Sequence, residues 1–81
     1  MKKKKILITG GAGFIGSNLC EHFVQKDFDV VCLDNLSTGF LHNIESLKEY
    51  SNFSFIKGDI RNIETCREAV KGCDVVLHEA A

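Results

Sequence analysis

A glycine cluster and two aspartates are the residues of this chain best suited to chemistry. The cluster, Thr9-Gly10-Gly11-Ala12-Gly13-Phe14-Ile15-Gly16, follows directly on the apolar run Ile6-Leu7-Ile8 and leads into a helical pattern. Strand, tight turn and helix in that order make a phosphate cradle. A helix N-terminus leaves backbone N–H groups unpaired and carries roughly half a positive charge, so an anion is favoured there. Either Gly10 or Gly11 can take the positive φ that a sharp turn needs. Gly13 lets a pyrophosphate approach the backbone without meeting a Cβ, and Gly16 lets the helix lie close on the strand. A glycine loop alone is weak evidence; between a strand and a helix it predicts a dinucleotide site. Asp34 stands 18 residues beyond Gly16, where the second apolar run ends. A carboxylate there accepts hydrogen bonds from both hydroxyls of an adenosine ribose and repels a 2′-phosphate. No arginine precedes Arg61, and the residues just after Asp34 are neutral, so NAD is favoured over NADP. Asp59 ends the third apolar run as Asp34 ends the second. Its carboxylate can meet an adenine amino group, with Ile60 packed on the ring or offering its backbone N–H.

These groups act together only if the fold brings them to one edge. Residues 4–9 read as a strand whose continuous apolar run suits burial on both faces of a parallel sheet. Over residues 13–26 the period changes: Ile15, Leu19 and Phe23 recur every four residues with Cys20 and Val24 beside them, which predicts one apolar stripe. His22 falls on the outer, solvated side. Residues 30–33 form a second buried-type strand, and Asn35-Leu36-Ser37-Thr38-Gly39 a polar turn. Leu41, Ile44 and Leu47 predict a short helix over 42–49. Residues 53–57 form a third strand closed by Gly58-Asp59. Asn62 is a good N-cap for a helix lined by Ile63, Cys66 and Val70, with Lys71 in its last turn and Gly72 in the C′ position. Residues 75–78 are the fourth strand, where His78 is expected to be packed and hydrogen-bonded. Alternating strands and helices predict a parallel sheet with right-handed crossovers, in the doubly wound order 3-2-1-4. The first two helices then cover one face and the third covers the other. Strand four becomes an apolar edge, an association hazard, and so short a domain buries only about 60–65% of its unfolded-chain surface. Residues 1–81 therefore read as the front of a larger α/β domain. Alone, the chain is expected to be poorly soluble, partly folded or associated through its fourth strand.

Composition removes several other classes. The chain is 81 residues long, 44% hydrophobic and free of proline, and no apolar run approaches the roughly 20 residues that span a bilayer. Lys2 to Lys5 invite a nucleic-acid or membrane reading, but setting those four aside leaves 6 basic against 11 acidic side chains. An acidic body argues against a polyanionic partner, so the lysines read as a solvated lead-in. The apolar segment after them is too short for a signal peptide. Cys20, Cys32, Cys66 and Cys73 lack zinc-ligand spacing and lie in or beside apolar runs, so they read as reduced core thiols of a cytoplasmic protein. Asn52-Phe53-Ser54 matches a glycosylation sequon and is read as incidental.

Thr9-Gly10-x-x-Gly13-x-x-Gly16, Asp34-Asn35-Leu36-Ser37-Thr38-Gly39, Gly58-Asp59-Ile60-Arg61 and His78-x-Ala80-Ala81 together resemble the extended short-chain dehydrogenase/reductase family. Within that family the chain is most similar to NAD-dependent sugar-nucleotide epimerases and dehydratases, nearest to 4-epimerases of UDP-hexoses or UDP-N-acetylhexosamines. The resemblance covers residues 4–81 and implies the N-terminal half of a Rossmann-like, doubly wound parallel sheet with NAD as cofactor. By carry-over, Gly10, Gly13, Phe14, Ile15 and Gly16 lie at the pyrophosphate. Asp34, Asn35, Ser37, Thr38 and Gly39 surround the adenine ribose and nearby phosphate, and Asp59 and Ile60 hold the adenine. Ala80 and Ala81 let the backbone approach the middle of the cofactor. The implied reaction is hydride chemistry at C4 of a hexose held as its nucleotide diphosphate, with a UDP-hexose-class substrate and a homodimeric complete protein. Two departures stand out. Glu79 occupies a position where the family has a neutral residue, and the catalytic Tyr-x-x-x-Lys is missing, since Tyr50 is followed four residues on by Ser54. No catalytic or metal-binding residue is therefore assigned. The alternatives are a 4,6-dehydratase, a non-catalytic NAD-binding module, or a truncated product.

Overall fold

The computed structural model describes residues 4–10, 14–35 and 44–79, with Phe14 described by its backbone only. Four strands, β1 (Lys5–Thr9), β2 (Asp29–Asp34), β3 (Phe53–Lys57) and β4 (Val75–His78), alternate with helices α1 (Phe14–Gln25) and α2 (Ile63–Val70). The strands form one sheet in the order β3-β2-β1-β4, parallel at every pairing. Between β2 and β3 the expected helix over 42–49 is instead a 3₁₀ helix, Glu45–Glu49, with Ile44 and Leu47 buried beneath it. Leu41 lies outside the described residues.

Each face of the sheet has its own core. On one, Ile6, Ile8, Val30, Cys32 and Phe53 meet Cys20 and Val24 of α1 and Ile44 and Leu47 of the 3₁₀ segment. On the other, Leu7, Val31 and Leu33 meet Ala69 of α2. Alternate residues of the central strands point to opposite faces, which is why the middle residues of both, Ile6-Leu7-Ile8 and Val30-Val31-Cys32-Leu33, are all apolar. The assignment of helices to faces is as the doubly wound order predicts.

The helical stripes are rotated from their expected positions. In α1 the buried row is Gly16, Cys20 and Val24, with Leu19 and Phe23 half-buried, while Ile15 is 63% exposed. In α2 the buried residue is Ala69, and Ile63 and Val70 are exposed. They lie roughly 100–120° around the helix from Ala69. In both helices the buried positions include a small residue, Gly16 or Ala69, while Ile15, Ile63 and Val70 are exposed.

Local chemistry ends each helix. Asp27 takes a positive φ of 68°. Its N–H donates to the Val24 carbonyl and the Phe28 N–H donates to Phe23, a Schellman closure in which aspartate replaces the usual glycine. Asn52 braces the same turn, donating through Nδ2 to the Val24 and Phe28 carbonyls at 3.1 and 2.7 Å. That amide is thus structural. Asn62 caps α2, its Oδ1 accepting from the Thr65 N–H at 3.0 Å, and Lys71 is the C-cap, followed by Gly72 with φ 75°. Lys5 belongs to the fold rather than to a solvated lead-in: its N–H donates to Asp74 Oδ2 and its Nζ to the Lys71 carbonyl. β4 is the sheet edge expected, with Val75 and Val76 exposed. The four cysteines are free thiols; Cys20 and Cys32 are buried, whereas Cys66 and Cys73 are only half-buried. Burial pushes the Cys73 thiol above its ordinary pKa, so it is a poor nucleophile.

Candidate functional site

Parallel strands expose all their carboxyl ends on one edge, and backbone hydrogen bonds tie those ends together. The Gly10 N–H donates to the Leu33 carbonyl at 2.8 Å, joining the turn after β1 to the end of β2. The Gly58 N–H donates to the Asp34 carbonyl at 3.1 Å, joining the end of β2 to the loop after β3. The Glu79 N–H donates to the Thr9 carbonyl at 3.0 Å, joining β4 to β1. Gly10, Asp34 and Asp59 are thereby arrayed along one edge, as the strand order predicts.

Gly10 takes a left-handed conformation, with φ 73°; Gly11 lies outside the described residues. Gly10 leads to the N-terminus of the 12-residue α1, whose first turn contains buried Gly16 and exposed Ile15. Asp34 is 8% exposed, with Asn35 exposed beside it. Thr9, also buried, shares a 2.7 Å hydrogen bond between its Oγ1 and His78 Nδ1. His78 is therefore hydrogen-bonded as expected, but it is exposed rather than packed. Glu79 is likewise exposed.

Among the described residues of the edge, the loop after β3 is densely hydrogen-bonded. Asp59 Oδ1 accepts from the Arg61 backbone N–H at 2.8 Å, and Arg61 Nη2 donates to Oδ2 at 2.7 Å. This arginine's hydrogen bonds hold the Asp59 carboxyl down to about 2. The Asn62 N–H donates to the Asp59 carbonyl, and the Cys66 thiol donates to the Ile60 carbonyl at 3.0 Å. Ile60 packs its side chain against the Leu7, Val31, Leu33 and Ala69 cluster. Its side chain is thus committed to the core; its backbone N–H is the group left for a ligand. Gly58 has a packing reason as well: a Cβ there would meet Thr65 Cγ2 at 2.6 Å. Gly13, Ser37, Thr38, Gly39, Ala80 and Ala81, and the side chain of Phe14, lie outside what is described.

Residues 6–81 match the NAD dependent epimerase/dehydratase family. A UDP-glucose 4-epimerase of Streptomyces lividans is 42% identical over 80 residues, which cover 95% of this chain and 23% of that protein. An epimerase of Methanothermobacter thermautotrophicus shares the fold with a TM-score of 0.89 at 42% identity, over 99% of this chain and 23% of its own. A dTDP-glucose 4,6-dehydratase of Bacillus anthracis, solved with NAD, has a TM-score of 0.87 at 37% identity, over 96% of this chain and 27% of its own. The chain belongs to the NAD-dependent epimerase/dehydratase family. It spans a quarter or less of the length of the curated relatives it matches.

The described residues fit the family's cofactor on three counts. The left-handed Gly10 brings the chain from β1 to the N-terminus of α1 in a conformation that side chains disfavour. Asp34 supplies a carboxylate at the end of the neighbouring strand. The Asp59–Ile60 loop supplies an ionised acceptor, and among the described residues no hydrogen bond uses the Ile60 N–H. Tyr50 plays no part: it precedes β3 at the opposite, amino edge, about a strand's length or roughly 15 Å away. Thr9, Gly58 and Arg61 stood in the sequence motifs without an assigned role, and Cys66 was read only as a core thiol; the hydrogen bonds that make them members of the edge are not revealed by spacing.

Proposed function

We propose that this chain is the NAD-binding front of a sugar-nucleotide enzyme that works by transient oxidation at hexose C4, and that the enzyme is a UDP-sugar 4-epimerase. The observation that carries the reading is the tied carboxyl edge, where the Gly10 turn, Asp34 and the Asp59–Ile60 loop are held in register by two backbone hydrogen bonds. NAD, when bound, supplies the hydride acceptor. The N-terminus of α1, with Gly10, Gly13, Phe14, Ile15 and Gly16, holds the pyrophosphate. Asp34, with Asn35, Ser37, Thr38 and Gly39, accepts from the ribose hydroxyls and disfavours a 2′-phosphate. Asp59 and the Ile60 N–H receive the adenine, and the small residues Ala80 and Ala81 suit a close approach of the backbone to the middle of the cofactor. The chain's part is to bind and orient.

The 4-epimerase reading is supported by the Streptomyces lividans relative. A 4,6-dehydratase is the second reading, supported by the Bacillus anthracis neighbour at comparable structural similarity. Four free thiols suit a reducing cytoplasm.

Titration calorimetry with NAD and NADP tests the site. NAD is expected to bind more tightly, and Asp34→Ala to weaken NAD by roughly tenfold while narrowing the gap to NADP. Unchanged NAD affinity in Asp34→Ala would show the ribose to lie elsewhere. Proton NMR of a form of the protein that also carries a catalytic Tyr-x-x-x-Lys, incubated with UDP-glucose, separates the readings: inversion at C4 marks the epimerase, loss of water the dehydratase, and NAD binding with neither reaction a binding module.

A further inference from the structure

We propose that Arg61 sets adenine selectivity at this edge by locking the Asp59 carboxylate in one orientation as the acceptor for the base's amino group. The proposal rests on the NAD reading above. Asp59 Oδ1 accepts two donors from Arg61, the backbone N–H at 2.8 Å and Nε at 3.1 Å. Oδ2 accepts Nη2 at 2.7 Å and shares Nε at 3.0 Å. An ionised carboxylate offers about four lone-pair sites. Three N–H donors, the Nε one shared between both oxygens, leave about one of those sites for a ligand, and the Asp59 side chain remains 34% exposed. The backbone beneath is fixed as well, through Gly58 to Asp34 and Asn62 to Asp59.

Arginine suits this role because its planar fork holds both oxygens at once, whereas an ammonium holds a point. Orientation matters because of what the base presents. Adenine offers an N–H donor at C6 beside an acceptor at N1; hypoxanthine offers a carbonyl at C6 beside an N1–H donor. A fixed acceptor next to the Ile60 N–H matches the first edge and opposes the second at both positions. A carboxylate free to swing would instead find the N1–H of hypoxanthine and accept both bases. The pair's purpose is not stability, since Arg61 is 86% exposed and exposed ion pairs contribute little.

Binding of NAD and of its hypoxanthine counterpart, by titration calorimetry, tests this in the wild-type protein, Arg61→Ala, Arg61→Lys and Asp59→Ala. The wild type is expected to prefer NAD by roughly tenfold or more, and both arginine variants to bring the ratio close to one with an unchanged urea midpoint. Arg61→Ala should remove no further selectivity from Asp59→Ala. A wild-type ratio preserved in Arg61→Ala overturns the proposal, and one preserved in Arg61→Lys shows that charge, not the fork, is what matters. NAD binding without discrimination by the wild type overturns it too while leaving the functional reading intact. Failure of the wild type to bind NAD at all is the outcome that removes the functional reading itself.

Discussion

Gly58 joins the stability of this fold to its site, and Gly58→Ala isolates the connection. A Cβ at position 58 would lie 2.6 Å from Thr65 Cγ2 and 3.4 Å from Leu33 Cδ1. Carbon atoms settle at about 3.5–4.0 Å, so the first contact overlaps by roughly 1 Å and the second scarcely at all. Thr65 cannot yield cheaply, because its side chain is β-branched and its N–H is held by the Asn62 cap. Overpacking of this kind costs about 1–3 kcal/mol. At about 2 kcal/mol, with a urea slope of about 1–3 kcal/mol per molar, the midpoint falls by roughly 0.7–2 M. Thr65→Ser deletes the offending methyl and leaves Leu33 Cδ1, at 3.4 Å, as the next approach. Gly58→Ala in the Thr65→Ser background should therefore cost less than about 0.5 kcal/mol. Urea titrations of the four proteins, followed by circular dichroism, measure the cycle. A Gly58→Ala midpoint equal to wild type, or an undiminished cost in the serine background, would refute the steric argument. NAD affinity should follow the same pattern, since the Gly58 N–H is what ties the Asp59 loop to Asp34.

Two further outcomes follow from the same loop. Asn62→Ala removes the side-chain acceptor of the Thr65 N–H and should destabilise by about 1 kcal/mol in the same urea assay. The Asp59 carboxyl is lowered from 3.8 to about 2 by its hydrogen bonds to Arg61, so the ion pair is fully formed above 3.8 and is lost as pH falls through about 2. Carboxyl-carbon NMR should show that titration moving up toward 3.8 in Arg61→Ala; an unmoved midpoint would show that the pair does not persist in solution.

Hydrophobic period and punctuation carried the elements. Continuous apolar runs in Ile6-Leu7-Ile8 and Val30-Val31-Cys32-Leu33 announced strands buried on both faces, and Asn62 and Gly72 bounded α2 as cap chemistry requires. The same signal misjudged which way the helices turn. A period reports that apolar residues share a face, but contact with a sheet is set by distance. Gly16 and Ala69 are buried while contributing little to a hydrophobic pattern. Ile15, Ile63 and Val70 weighed heavily in the pattern and ended up exposed.

For the site, the chain by itself determined the types and the order: a glycine turn after the first strand, an aspartate after the second, an aspartate after the third. Parallel strands in doubly wound order then leave those residues one edge to share, because every connection returns to the same side. Tertiary structure alone decided how the edge is held. The Gly10–Leu33 and Gly58–Asp34 bonds, the Thr9–His78 pair and the commitment of Ile60 to the core join residues distant in sequence. Spacing carries no information about such pairs. The Asp59–Arg61 fork is only two residues long, yet it too depended on the conformation of its loop, which the capped helix behind it imposes.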